Sequence, residues 1–185
     1  MGCITTYSGE AFDPAQPDSK KIHIADIAHA LSLLCRANGH FKRFYSVGQH
    51  CVNCALEART RGYRPQVQLA CLLHDASEAY LADITRPVKE HLAIYLELEA
   101  RLQGAIYEKY LPGALSQAEW EWVQDIDNQM LLYEFQALMP KGVFSQQAQI
   151  HGSPQMEQLP FETVQNQYLA LWRQLSGQEP KEAEV

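Results

Sequence analysis

The spacing of apolar residues is the feature that most limits how this chain can fold. Apolar side chains recur every three or four residues from Ile24 through Ile27 and Leu31 to Leu34, which is the period of one buried face of an α-helix. The same spacing returns in later segments, and no stretch shows the sustained alternation that a half-buried β-strand requires. The sequence therefore predicts an all-α fold of about six helices.

Capping residues set the expected limits of these helices. Ser46 is a typical N-cap before the second helix, and Gly62 is a typical stop after it. Pro65 suits the first turn of the third helix, and the segment Ser116–Glu119 has the spacing of a capping box before the fifth. We expect helices at about 24–36, 47–61, 65–82, 89–111, 117–138 and 162–175.

Length and charge limit the class of protein. A chain of 185 residues with 46% apolar residues fits one domain of ordinary size. We divide it into an irregular N-terminal segment (1–22), one helical domain (23–176) and a polar tail (177–185) that we expect to be disordered. The net charge of −7 argues against binding a nucleic-acid polymer through a broad basic face, but not against binding a small phosphorylated ligand.

We expect a cytoplasmic protein without membrane contact. No apolar run approaches the roughly 20 residues needed to cross a membrane, and the first residues lack the layout of a signal peptide. The cysteines number five, and free buried thiols explain this odd number better than disulfides do. Cys51 and Cys54 form a C-x-x-C pair, which we interpret as two small residues one helical turn apart, because no second ligand pair of similar spacing accompanies them.

A histidine and an aspartate, His74 and Asp75, stand side by side after the apolar run 67–73. An aspartate is rarely fully buried unless it is paired or holds a metal. Glu78 lies four residues after His74, and Asp83 lies eight residues after Asp75, so both carboxylates return to the same helical face. One short segment therefore offers two types of metal ligand and two further carboxylates.

Two more ligand candidates lie elsewhere in the chain. His50 is one turn inside the second helix, and Asp127 interrupts the apolar stripe of the fifth helix between Ile126 and Met130. A carboxylate on a core stripe needs a partner, and a cation is the expected one; Asp125 on the same helix is a rival. Two imidazoles and two carboxylates suit zinc, manganese, cobalt or iron, with positions left open for water.

In this order the residues resemble the HD-domain metal-dependent phosphohydrolases. The similarity runs from Arg36 through the segment Tyr45–His50 to the block 74–89, which reads HDASEAYLADITRPVK. It covers roughly residues 20–140. Over these residues the chain is similar to small bacterial and phage HD proteins, among them YfbR-type 5′-deoxynucleotidases, prophage YfdR-type proteins and phage dATP triphosphohydrolases. The resemblance implies a single HD-domain helical bundle.

The resemblance also implies roles for individual residues. One divalent ion (zinc, manganese, cobalt, iron or magnesium) would have four protein ligands: His50, His74, Asp75 and Asp127. Asp127 is preferred to Asp125 because Glu134 follows it by seven residues, as a glutamate does in the family. Glu78 and Asp83 match the family's catalytic carboxylates.

Two cations, Arg36 and Lys89, match residues that contact substrate phosphate in the family. Relatives often have a tryptophan after this arginine, and here the position is Ala37. We interpret three further cations as solvated charges: Lys42, Arg43 and Arg86.

The activity implied is the hydrolysis of phosphate from nucleotides, as a 5′-nucleotidase or a deoxynucleoside triphosphate triphosphohydrolase, which use the same residues. The resemblance further implies a small-molecule substrate and a homodimer or higher homo-oligomer. The alternative is a metal-binding nucleotide sensor with little turnover, but the presence of both Glu78 and Asp83 favours an enzyme. A helical interaction module without metal would require the whole set of residues to be accidental.

Overall fold

Helices account for most of the structure, a computed structural model that describes residues 2–142 and 144–179. Within these residues, six helices are nine residues or longer and two are four residues long, so the predicted all-α fold of about six helices is confirmed. In chain order the helices are α1 (Ile24–Leu33), α2 (Val47–Thr60), α3 (Pro65–Leu73), α4 (Glu78–Leu81), α5 (Arg86–Lys89), α6 (Ala93–Tyr110), α7 (Gln117–Leu138) and α8 (Phe161–Ser176).

Helix α2 lies at the centre of the bundle, in contact with α1, α3, α7 and α8. Most of its side chains are buried, including the polar side chains of Gln49, His50 and Asn53. Gly48 allows α1 to approach closely, because a Cβ at this position would lie 3.1 Å from the backbone carbonyl of Leu31. A helix surrounded in this way can hold a functional side chain in the interior of the protein.

The N-terminal segment contains a small β-hairpin that the sequence did not predict. Strands β1 (Ile4–Thr5) and β2 (Ala11–Phe12) pair in antiparallel fashion. Asp26 of α1 accepts hydrogen bonds from the amide of Ser8 at 2.7 Å and from its hydroxyl at 2.8 Å. These bonds tie the hairpin to the bundle, and Phe12 is fully buried there.

Three predicted helix limits were wrong. The first helix, predicted to reach residue 36, ends at Leu33, because the chain becomes extended and Cys35 pairs with Ser46 in an antiparallel bridge. The helix predicted at 65–82 is interrupted, since α3 ends at Leu73, turns follow, and α4 covers only Glu78–Leu81. The helix predicted to begin at residue 89 begins at Ala93, because the backbone leaves the helical region at Leu92 and residues 86–89 form the separate helix α5. All three differences lie beside residues that the sequence assigns to the functional site.

A polar face of α2 holds the irregular segment 149–157 against the bundle. Three side chains of this face, about one turn apart, form hydrogen bonds with the backbone of the segment: Gln49, Asn53 and Glu57. Glu57 accepts from the amides of His151 and Gly152, each at 2.9 Å. The segment is therefore fixed by side chains of the same helix that carries His50.

The predicted tail begins at Gly177, which ends α8 in the left-handed conformation with a φ of 67°. Residues 180–185 of that tail lie outside the described residues. Among the helices of the described residues, none combines the length and the apolar character needed to cross a bilayer.

Candidate metal centre and its cleft

His50 projects from α2 into the centre of the bundle. Ser46 caps this helix as predicted, because its side chain accepts from the amide of Gln49 at 3.1 Å. The His50 side chain is fully buried, and its Nδ1 lies 2.6 Å from Oε1 of Glu134 on α7. An ionised carboxylate can only accept, so Nδ1 donates to it and Nε2 faces the interior as a potential ligand atom.

His74 is oriented in the same way, by a backbone carbonyl. It directly follows α3, and its Nδ1 donates to the carbonyl oxygen of Cys71 at 2.8 Å, which leaves Nε2 free. Gln103 of α6 holds the turn after α3, since it donates to the Leu73 carbonyl at 2.7 Å and accepts from the Ser77 amide at 3.0 Å. Sequence reasoning missed Gln103, because no local pattern links it to a turn that lies so far back in the chain.

Two ring nitrogens and two carboxylate oxygens converge on one point. The Nε2 atoms of His50 and His74 are 3.1 Å apart. Oδ1 of Asp127 lies 3.2 Å from the first Nε2 and 3.5 Å from the second, and Oδ2 of Asp75 lies 3.7 Å and 3.2 Å from the same two atoms. Two atoms that bind one ion at about 2.1 Å lie roughly 3.0 Å apart at a right angle and roughly 3.4 Å apart at the tetrahedral angle. The four atoms therefore fit around a single divalent ion.

This cluster requires positive charge. Both Nδ1 atoms donate to groups outside the cluster, so in neutral rings the lone pairs of the two Nε2 atoms would point toward each other. Burial and, at His50, the charge of Arg36 lower the ring pKa, but the neighbouring carboxylates outweigh them, and the pKa of both His50 and His74 is raised. Although burial opposes ionisation, His74 lowers the pKa of Asp75, and hydrogen bonds from both rings lower the pKa of Asp127. The centre therefore attracts cations, whether a metal ion or protons.

Buried thiols beside the imidazoles offer other combinations of metal ligands. Cys54 groups with His50 and His74, and Cys51 groups with His74 and Asp75. However, Sγ of Cys54 lies 3.6 Å from Nε2 and 3.9 Å from Nδ1 of His50, so it packs against the ring instead of lying along the Nε2 lone pair. Burial also raises the pKa of Cys51 to about 11 and that of Cys54 well above its usual value. The set of two histidines and two aspartates therefore suits a metal better.

Of the two aspartates on α7, Asp127 faces the cluster and Asp125 does not. The Asp125 side chain is 49% exposed and pairs with Arg61 at 2.7 Å. The outer oxygen of Asp127, Oδ2, accepts from Arg86 at 2.9 Å. Arg86 is thus exposed, as expected for a solvated charge, but it also has a partner that sequence reasoning missed.

Arg36 lies among the ligand carboxylates. It is 7% exposed, its Nε donates to Glu134 at 2.8 Å, and its other nitrogens lie 3.5 Å from Asp75 and 3.7 Å from Asp127. Burial works against its charge, but these carboxylates raise the pKa of Arg36 well above its usual value. Arg36 is therefore a permanent counter-ion of the cluster as well as a side chain that borders the cleft.

Glu78 and Asp83, the predicted catalytic carboxylates, lie beside the cluster. Glu78 is buried, its Oε1 is 3.6 Å from Nζ of Lys89, and its Oε2 has no hydrogen-bond partner in the described structure. Burial, followed by the charges of Asp75 and Asp83, raises the pKa of Glu78 well above its usual value, and burial also raises the pKa of Asp83. An unpartnered buried carboxylate oxygen costs free energy, and such atoms call for a functional explanation.

A strained turn precedes Asp83. Ala82 has φ 89° and ψ 154°, a region that is occupied almost only by glycine. The hydroxyl of Tyr95 on α6 donates to the Ala82 carbonyl at 2.7 Å, and Glu99 on the same helix accepts from Lys89 at 2.6 Å. Helix α6 therefore holds both the turn before Asp83 and the Lys89 ammonium group.

A cleft of about 500 Å³ opens over these residues, a volume within the range of small-molecule sites. All the predicted site residues except the two histidines border it: Arg36, Asp75, Glu78, Asp83, Lys89 and Asp127. Larger apolar side chains also border it: Ile84, Pro87, Leu131, Phe135 and Phe144. The cleft therefore combines charged groups with an apolar surface.

Comparison with known proteins finds relatives but no family model that matches the chain. The Escherichia coli K12 protein named "Uncharacterized protein YfdR" is 39% identical over 117 residues, which are 63% of this chain and 63% of the relative. An uncharacterized protein from Rhodobacter capsulatus is 39% identical over 114 residues, 58% of each chain. The chain thus spans about three fifths of the length of the curated relatives it matches, and their names state no activity.

Proposed function

We propose that this chain is a metal-dependent phosphohydrolase of the HD-domain type that removes phosphate from nucleotides. The observation that carries the proposal is the convergence of two Nε2 atoms and two carboxylate oxygens, 3.1–3.7 Å apart, beside a cleft with further carboxylates and cations. Titratable groups with shifted pKa values in a cleft of this kind are typical of a catalytic site.

The ligands of one divalent ion would be His50, His74, Asp75 and Asp127. Two imidazole nitrogens and two carboxylate oxygens suit zinc, manganese, cobalt or iron. Such an ion supplies, when bound, activation of water and polarisation of a phosphoryl oxygen. Glu134 and the Cys71 carbonyl orient the two rings, and Arg36 balances the carboxylates, so the chain itself fixes the direction of all four ligand atoms.

Glu78 is suited to accept a proton from the attacking water. Burial and the charges of Asp75 and Asp83 raise the pKa of Glu78, and a raised pKa makes its carboxylate a stronger base. Asp83 borders the same cleft and can carry the proton onward to the leaving group. Lys89 and Arg36 present positive charge to the substrate phosphate, which favours binding and offsets charge that develops during the reaction.

The apolar side chains of the cleft suit the nucleoside part of the substrate. Leu131 and Phe135 on α7, with Phe144 beyond it, border the cleft together with the charged residues. Aromatic rings bind flat apolar groups such as a nucleobase, whereas a small phosphate ester would leave this surface uncovered. The cleft therefore supports a nucleotide as substrate.

The test is a substrate panel with matched metals. Purified protein supplied with manganese, cobalt, zinc or magnesium is incubated with ribo- and deoxynucleoside mono-, di- and triphosphates, and the released products are identified. We expect metal-dependent release of phosphate or triphosphate from at least one nucleotide, and none from the Asp75→Ala variant. Absence of hydrolysis with every metal and nucleotide overturns the proposal, and tight nucleotide binding without turnover would instead indicate a sensor.

A further inference from the structure

Among the residues that the structure describes, three cations border the cleft, and they differ in how firmly the protein holds them. Arg36 is 7% exposed and is paired with Glu134 inside the protein. The Lys89 side chain is 19% exposed and is paired with Glu99. The Arg86 side chain is 57% exposed, so it is the cation of the cleft most open to an incoming ligand.

The contacts of Arg86 place it on the outer side of the metal centre. Its Nη2 donates to Oδ2 of Asp127 and its Nη1 donates to the side-chain oxygen of Asn128, both at 2.9 Å. Oδ1 of Asp127 faces His50 at 3.2 Å, so Arg86 holds the oxygen that turns away from the cluster. An exposed ion pair stabilises a protein by only about 0–1 kcal/mol, which allows the guanidinium to exchange this partner for a better acceptor.

The cations of the cleft differ in exposure. The more buried Arg36 and Lys89 suit a single substrate phosphate that lies beside the metal centre. Each additional phosphate adds negative charge nearer the solvent, and Arg86 is the most exposed of these cations. A guanidinium binds phosphate through two parallel hydrogen bonds, and such charge-assisted bonds are stronger than those of neutral groups.

We propose that Arg86 exchanges Asp127 for an outer phosphate of the substrate, so that the cleft prefers nucleoside di- and triphosphates to monophosphates. This inference rests on the proposed nucleotide hydrolysis. In this inference, Arg86 discriminates between substrates by their number of phosphates, whereas the catalytic carboxylates and the metal ligands act on all of these substrates in the same way.

The experiment compares Arg86→Gln with the wild type on one nucleoside as its mono-, di- and triphosphate. We expect wild-type kcat/KM to be highest for the triphosphate. The substitution removes a hydrogen bond to a charged group, so kcat/KM should fall roughly 10- to 100-fold for the triphosphate and less than about 3-fold for the monophosphate. The matched control is Arg64→Gln, which removes an exposed arginine paired with Glu119 elsewhere on α7, and it should change neither value.

An equal loss for mono- and triphosphate, together with weaker metal binding, overturns the inference, because it would show that Arg86 only positions Asp127. If the wild type hydrolyses no nucleotide, the proposed function fails, and calorimetry with inorganic phosphate and tripolyphosphate in excess magnesium tests Arg86 independently. Tighter binding of tripolyphosphate that Arg86→Gln removes supports the inference, whereas equal affinity, or no binding of either anion, overturns it.

Discussion

Protonation of Glu78 depends on its immediate surroundings. Burial, then the charges of Asp75 and Asp83, raises its pKa. For a carboxyl group with a raised pKa, the protonated form persists to a higher pH, and the ionised base forms only as pH rises through the shifted value. Activity that depends on this base should therefore increase with pH above the range in which an ordinary glutamate ionises.

We predict that Glu78→Gln keeps its metal ion but turns over nucleotide roughly 10²–10⁴ times more slowly, the usual effect of removing a general base. The ion remains because other side chains supply the ligand atoms. Steady-state kinetics and metal analysis of the purified variant check both parts. The acidic limb of the wild-type pH profile should also be missing from the residual activity, and near-normal turnover would remove Glu78 from the mechanism.

The backbone at Ala82 stores strain next to Asp83. Its φ of 89° and ψ of 154° suit glycine, so we predict that Ala82→Gly stabilises the protein by about 1 kcal/mol. Turnover should fall, because a glycine no longer holds Asp83 in one direction. Thermal unfolding and kinetics measure the two effects. The control Ala105→Gly lies inside α6 and should instead lose about 1 kcal/mol; a destabilised Ala82→Gly would contradict the prediction.

At the scale of elements, two faces of α2 make different contacts. One face carries His50 into the metal centre, and the other binds the backbone of segment 149–157 through Gln49, Asn53 and Glu57. The segment has little regular structure of its own, so its backbone groups obtain hydrogen bonds from side chains instead. The conformation of this segment therefore depends on a helix that lies far from it in sequence.

Glu57 gives this attachment a dependence on pH. Burial opposes ionisation of the Glu57 carboxyl group, but hydrogen bonds from Arg61 and from the amides of His151 and Gly152 outweigh this effect and lower the pKa of Glu57. A lowered folded-state pKa stabilises the protein above the unfolded pKa, about 4.3. This contribution is lost as pH falls through the folded value, when the carboxylate takes up a proton.

We therefore predict that Glu57→Gln lowers the free energy of unfolding by about 1–3 kcal/mol at pH 7. The difference from the wild type should shrink as pH falls below about 4.3. Urea denaturation at pH 7 and at low pH measures this, and Glu97→Gln, which changes an exposed carboxylate on α6, serves as the control. A difference that stays constant over the whole pH range would show that the Glu57 charge is not what stabilises the segment.

At the scale of the whole molecule, the candidate metal ligands come from three separate elements. His50 lies on α2, His74 and Asp75 follow α3, and Asp127 lies on α7. A bound ion would link these elements, and ligands that come together only in the folded state make metal binding contribute to folding stability. Metal should therefore raise the unfolding temperature of the protein.

We predict a gain of about 2.7 kcal/mol when free metal is 100 times its Kd, which for a domain of this size is roughly 5–11 °C in Tm. Asp127→Asn should lose this gain, since it removes a ligand charge. Asp125→Asn should keep it, because Asp125 pairs with Arg61 outside the cluster. Scanning calorimetry with metal and with a chelator distinguishes the two variants, and a loss of the metal effect in Asp125→Asn alone would show that the assignment on α7 is wrong.

Local interactions are what the sequence by itself determined. Signals that act over about four residues can be recognised in the sequence, and they recur in the structure: the helical period, the N-cap Ser46, the first-turn Pro65 and the capping box at Ser116. The block that runs from His74 to Lys89 is also short, and its predicted site residues Asp75, Glu78, Asp83 and Lys89 do border one cleft, while His74 lies in the adjoining cluster.

Only the tertiary structure shows which distant residues support the side chains of the candidate site. The Glu134 partner of His50, the Gln103 support of the turn, the Tyr95 bond to Ala82 and the Arg86 bond to Asp127 each join residues that lie far apart in sequence. Such pairs produce no periodic pattern in the sequence, because the distance between their side chains is fixed by how whole helices pack. The sequence favoured Asp127 over Asp125, but only the packing of the helices places Asp127 against His50 and pairs Asp125 with Arg61.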